Sequence, residues 1–241
     1  MPRSKIKTAI LIGIGMVLIA GLTLIIVFRH DIKSRMVLAA GERAVARHAV
    51  VPLDLSGQYA HEAFDKGGGS SYWHDVPWRF QVFRGVPLQI DGLMCLWGQG
   101  NAKMGANFPE EILGIPVGRS FETLYVYHCA FFSSPNDAPV YNLVFRYNDG
   151  SSVTNQMLYG RDVLDFNTRG KVTPPTGANS RIAWVGASFN SNKSAPLRFI
   201  LTALKNPQPD MPVATIDLYS CKGRSAGVVL AMTAGKSGMM K

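Results

Sequence analysis

Residues 8–28 read TAILIGIGMVLIAGLTLIIVF, twenty-one positions without a charge. As a helix rising about 1.5 Å per residue, this run spans roughly 31 Å, the thickness of a bilayer's hydrocarbon core. Basic residues bracket it, with Arg3, Lys5 and Lys7 before and Arg29 after. A cleavable signal peptide has an apolar stretch of about 7–15 residues and a small-residue cleavage site just beyond. Here the stretch is longer and runs into Phe28-Arg29-His30-Asp31. The expectation is therefore an uncleaved transmembrane helix over 8–28, preceded by a short basic tail over 1–7. Gly13, Gly15 and Gly21 lie within it as helix-packing candidates, because small residues let a second helix approach closely. They form no GxxxG pair.

The net charge of +9 is concentrated near this helix. Residues 1–50 hold eight Lys/Arg and two acids, a net +6. The other 191 residues hold seventeen Lys/Arg and fourteen acids, a net +3. A basic stripe for nucleic acid would have to sit on the domain, and +3 over that length does not supply one. Anionic headgroups attract basic side chains beside a membrane helix, so Arg29, Lys33 and Arg35 are expected at the membrane surface. Residues 29–50 lack proline and are rich in helix formers, which predicts a basic helical stalk. Its polar face could meet lipid headgroups or a partner subunit, or the stalk is a solvated connector. Orientation has two opposed signals. Five Lys/Arg after the helix against three before it place the domain in the cytoplasm. The short acid-free tail instead resembles the n-region of a signal anchor, which keeps the tail inside and places the domain outside.

After Val51 the pattern changes to short apolar or alternating runs between turn signals. Val82–Leu88, Ile90–Trp97, Phe121–Phe132 and Val140–Tyr147 read as strands. Asn148-Asp149-Gly150 is a hairpin signal, with Ser152–Tyr159 as the return strand. Ile182–Ala187, Leu197–Lys205, Ala214–Ser220 and Gly227–Thr233 follow. Eight or nine strands at these intervals predict an antiparallel β-sandwich over 51–233, of sandwich or jelly-roll type, with a C-terminal tail over 234–241.

Six segments also carry a resemblance: VPLDLSGQYA (51–60), FRGVPLQIDGLMCL (83–96), LYVYHCAFF (124–132), VFRYNDGSS (144–152), YGRDVLDF (159–166) and NPQPDMPVATIDLYS (206–220). In that order they resemble a group of uncharacterised bacterial exported or membrane-anchored proteins with a galactose-binding-like jelly-roll domain. The resemblance implies that fold, and a chain held in the bacterial inner membrane with its domain in the periplasm. It carries no settled activity, and fold analogy alone is a weak warrant for function.

The chain has no HExxH, GxxxxGK[ST] or GxGxxG. Gly67-Gly68-Gly69 reads as a loop. Cys95, Cys129 and Cys221 are odd in number and widely spaced. They admit either one bridge with a free thiol or three buried thiols. Trp73, His74, Asp75 and Trp78 combine two indoles with polar groups in one short segment. That composition suits a sugar, whose apolar ring face stacks on an indole, or a protein contact, where Trp is enriched. It equally suits a loop packed on its own domain. Asp162 and Asp165 are candidate ligands for a structural calcium, although calcium needs six or more oxygens and the rest are not evident. An Arg161–carboxylate brace is the other reading of that segment.

The functional expectation is a non-enzymatic, single-pass accessory subunit without a cofactor. It would brace a larger membrane complex, respiratory or photosynthetic for example, through its helix and sandwich. The alternative is a membrane-anchored carbohydrate-binding module at the cell wall. Expected partners are the bilayer, other subunits of the complex and, in the second reading, glycans.

Overall fold

The computed structural model describes residues 50–62, 76–168, 170–187 and 196–241. The anchor, the stalk before residue 50, and Trp73, His74 and Asp75 lie outside these residues. No described helix is long and apolar enough to cross a membrane.

The described chain is a β-sandwich whose ladders are all antiparallel. Its strands are β1 (Val51–Pro52), β2 (His61–Glu62), β3 (Arg79–Phe83), β4 (Val86–Ile90), β5 (Gly92–Cys95), β6 (Glu111–Arg119) and β7 (Thr123–Phe131). They continue with β8 (Pro139–Tyr147), β9 (Ser152–Leu158), β10 (Ser180–Ala187), β11 (Pro196–Lys205), β12 (Val213–Ser220) and β13 (Ala226–Gly235). One short helix, α1 (Gln99–Lys103), follows β5. The larger sheet runs β10-β11-β7-β13-β5-β2, and β1 pairs with the far end of β13. The facing sheet runs β6-β12-β8-β9. From β5 to β8 the chain alternates between the two sheets.

One core fills the space between the sheets, around Tyr141, Leu143, Phe145, Val126, Ile200 and Ile216. A second apolar cluster lies on the other face of the larger sheet, around Tyr127, Cys129, Phe199, Leu201 and Val228. The β3–β4 hairpin covers it with Val86, Leu88 and Ile90. The molecule therefore has three layers, and its middle strand β13 is buried at every position. That burial explains the continuous small and apolar sequence AGVVLAMTAG, where a two-faced strand would alternate.

The expected β8–β9 hairpin is present. Gly150 takes φ +86°, and its N–H donates to the Tyr147 carbonyl at 3.0 Å. Asp149 closes the turn by accepting from the Ser151 N–H and hydroxyl. Val82–Leu88, expected as one run, is instead split by a two-residue turn. Arg84 (φ 53°) and Gly85 (φ 82°) both occupy the left-handed region that tight hairpins need. Strand β6 departs further from expectation, since EILGIPVGR carries two glycines and a proline. Gly114 and Gly118 take φ 71° and 63°, and the pairing with β12 shifts register twice. These irregularities twist an edge strand that a neighbouring chain would otherwise extend.

The C-terminal segment is packed on the sandwich. The Tyr125 hydroxyl donates to the Lys236 carbonyl at 2.7 Å and accepts from the Met239 N–H at 3.0 Å. Met239 and Met240 rest on the second cluster, and the Lys241 N–H donates to the Arg84 carbonyl at 3.1 Å. The tail thus clamps the β3–β4 hairpin against the larger sheet.

Candidate functional site

After β1 the chain runs along β13 and rejoins the larger sheet where the Ala60 N–H donates to the Leu93 carbonyl at 2.8 Å. The Tyr59 ring lies directly on Gly92, where a Cβ would sit 2.4 Å from it. On the other side the loop after α1 returns to β6, pinned by the Trp97 N–H donating to the Pro109 carbonyl at 2.7 Å. Between these segments opens a groove of about 400 Å³. Gln58, Tyr59, Asn107, Phe108 and Pro109 form its walls, and Cys95 and Ile112 its floor. The volume lies within the range of small-molecule sites, and the mixture of two aromatic rings with two primary amides is typical of them. Asn107 is exposed and Gln58 half-buried, so both amides reach solvent.

The groove sits far from the point where the chain enters the fold. Val51 pairs with Ala234 near the end of β13, whereas Cys95 pairs with Val228 near its beginning. Six residues of strand separate these points by about 20 Å.

The titratable groups with the largest shifts are structural. His128 on β7 is fully buried, and burial pushes its pKa down to about 3. Its Nε2 lies 2.9 Å from Thr202 Oγ1, and its Nδ1 2.6 Å from the Tyr141 hydroxyl. Thr202 donates its one proton to the Asp162 carbonyl at 3.0 Å. It must therefore accept from His128 Nε2–H and from the Ser180 hydroxyl, 2.9 Å away. That leaves His128 neutral with a bare Nδ1, to which Tyr141 donates. The network joins both sheets and the loop after β9.

Asp162 and Asp165 are engaged in that same loop. Asp162 Oδ2 accepts from the Leu158 N–H and from Arg161, whose Nη2 lies 2.8 Å away. Asp165 accepts from the Ser133 hydroxyl and the Asn167 N–H. Arg198, 5% exposed, crosses beneath and donates to the Asp165 and Thr173 carbonyls. Among the described residues no three His, Cys, Asp or Glu side chains converge as a metal ion would require.

Trp78 packs against the second cluster, and its carbonyl accepts from Gln81 Nε2 at 2.9 Å. The described member of the indole pair is therefore turned toward its own domain. The three cysteines are free. Cys95 and Cys129 pair with the same residue, Val228, from opposite sides. Two strand spacings, roughly 9–10 Å, separate their Cα atoms, beyond the reach of a disulfide. Burial pushes the Cys95 thiol up to about 12 and the Cys129 thiol up as well.

No family model, curated protein or solved structure matches this chain.

The groove was not legible in the sequence, because its walls come from residues 58–60 and 107–109, far apart along the chain. The only local signal was the aromatic-amide pairs Gln58-Tyr59 and Asn107-Phe108, ordinary in isolation.

Proposed function

We propose that this chain is a non-enzymatic binding protein, tethered by one transmembrane helix over 8–28, whose groove takes a sugar ring. The observation that carries this reading is the groove itself: Tyr59 and Phe108 beside Gln58 and Asn107. Aromatic faces match the apolar faces of a sugar, and amides match its hydroxyls. Its placement about 20 Å from the chain's entry point suits a tethered reader, whose site must point away from its membrane. The fold reading belongs here too. Strand orders β5-β13-β7-β11 and β6-β12-β8-β9, with β10 added at an edge, support a jelly roll of the galactose-binding-like kind. The expected setting is the bacterial inner membrane with the domain in the periplasm.

A glycan-array screen of the full chain tests the proposal. Binding that Gln58→Ala and Asn107→Ala both weaken supports it, and a blank array counts against it.

A second reading, an accessory subunit bracing a larger membrane complex, is favoured by the outer face of the four-stranded sheet. There Arg146 Nε donates to Asp217 Oδ2 at 2.7 Å, and Arg146 Nη2 to the Tyr219 hydroxyl at 3.0 Å. Asp217 also accepts from the Gly114 N–H at 2.8 Å, and Leu113 beside it is 46% exposed. An ordered polar face of this kind, with an exposed leucine beside it, is within the composition of protein interfaces, which as a whole are about as polar as the rest of the surface. Co-migration with a large complex after mild detergent extraction supports this reading, and migration as a monomer opposes it.

A further inference from the structure

The end of the sandwich where the chain enters carries a set of exposed cations that the groove does not use. Val50 packs beside Gly235, where a Cβ would lie 3.4 Å from its methyl group. Lys236 follows directly, with its carbonyl held by Tyr125. Lys205 pairs with Thr123, which also pairs with Gly235, and the Thr123 hydroxyl lies 2.9 Å from that of Ser237. The Lys241 N–H donates to the Arg84 carbonyl, while the Arg84 side chain turns away to the Ile182 carbonyl at 2.9 Å. Lys205, Lys236 and Lys241 are exposed. The carboxylate among them is Glu122, held below its ordinary pKa by the Ser237 N–H and, more weakly, by Lys236. On the far side of the same end, Arg119 balances one of the two acids Asp149 and Asp210.

The hydrogen bonds fix this rim. Tyr125, Thr123 and Glu122 hold the backbone of residues 236–239 to β7 and its leading turn, so Lys236 and Lys241 stand on an ordered segment. Their charge is thus displayed on one side of the point where the chain emerges.

We propose that this rim, formed by Lys205, Lys236 and Lys241, docks the domain on an anionic phospholipid surface. The proposal rests on reading residues 8–28 as the anchor, because the anchor delivers this end of the domain to the bilayer. It extends to the folded domain the headgroup contact expected of Arg29, Lys33 and Arg35. With the rim seated, the groove at the opposite end of β13 faces away from the lipid.

The test uses the full chain in nanodiscs of phosphatidylcholine, with and without phosphatidylglycerol. Lysines are labelled with an amine-reactive reagent and read by mass spectrometry. Labelling of Lys205, Lys236 and Lys241 is expected to fall about fivefold in the anionic discs, the effect of one near-surface cation. High salt should restore it. Lys103 and Lys222, carried by α1 and the turn before β13, report the opposite end and should keep their labelling. Equal labelling in both lipids, or a fall shared by all five lysines, overturns the proposal. A chain that does not stay with the discs sinks the anchor reading instead. The same footprint with added phosphatidylglycerol vesicles then decides the rim alone: protection of its three lysines supports it, and none overturns it.

Discussion

Tyr141 on β8 donates a hydrogen bond to Nδ1 of His128 on β7, at 2.6 Å, across the space between the two sheets. The imidazole is thereby fixed as a neutral acceptor at the centre of the sandwich. An unfolded chain takes up a proton there below about pH 6.5, whereas the folded protein resists until about pH 3. Between those values the unfolded state binds more protons, so stability falls as the pH drops. The slope contributed by this one group is about 1.4 kcal/mol per pH unit. Urea midpoints measured from pH 7 to pH 3.5 should show it, and His128→Gln should flatten it. An unchanged slope in the variant would remove His128 as the cause.

Tyr127 presents the opposite case. It is 0% exposed, stacked on Phe83 with Phe199 tilted against it, and its hydroxyl has no partner among the described residues. An unpaired buried hydroxyl costs about 1–3 kcal/mol. Tyr127→Phe should therefore raise stability by about 1 kcal/mol, read by calorimetry or urea unfolding. A loss of stability would show that the hydroxyl is in use.

The thiols should react in a fixed order. Burial raises all three thiols, but Cys221 is half-buried, whereas Cys95 in the groove floor and Cys129 beneath the β3–β4 hairpin are 0% exposed. Only the thiolate is reactive. A maleimide reagent on the native protein should label Cys221 alone and reach the other two after denaturation. Early labelling of Cys129 would mean that the hairpin lifts readily.

Truncation after Gly235 removes the clamp on that hairpin. The tail contributes Met239 and Met240 to the second cluster and satisfies the Tyr125 hydroxyl. Loss of two half-buried methionines and these hydrogen bonds should cost about 2–4 kcal/mol. Faster hydrogen exchange should appear first in β3 and β4. A truncated chain as stable as the full one would make the tail ornamental.

Much of this architecture was readable from residue pattern alone, and the exceptions share a physical origin. Val140–Tyr147 is largely apolar and Ser152–Leu158 alternates, on either side of an Asp-Gly turn, so their pairing was plain. Strand β6 was missed because Gly114, Pro116 and Gly118 look like turn residues, when they serve an edge strand that must bulge. The Arg84-Gly85 turn was missed because arginine seldom takes φ > 0; the tail and the β10 carbonyl of Ile182 hold it there. At the site level, Arg161 and Asp162 formed the brace that their adjacency suggested. Trp78 packs half-buried on the second cluster, because an indole gains by covering apolar surface. The groove depends on which distant segments meet at β5, and no local pattern encodes that meeting.

The central claim is that Gln58 and Asn107 recognise a ligand between Tyr59 and Phe108, and a calorimetric titration tests it most directly. The glycan selected by the array is titrated into the full chain and into the Gln58→Ala, Asn107→Ala double variant. Each lost hydrogen bond is worth about 0.5–1.5 kcal/mol, so the Kd should rise about tenfold or more. Both side chains reach solvent, so stability should change by no more than about 0.5 kcal/mol. An unchanged Kd in a folded double variant would contradict the account.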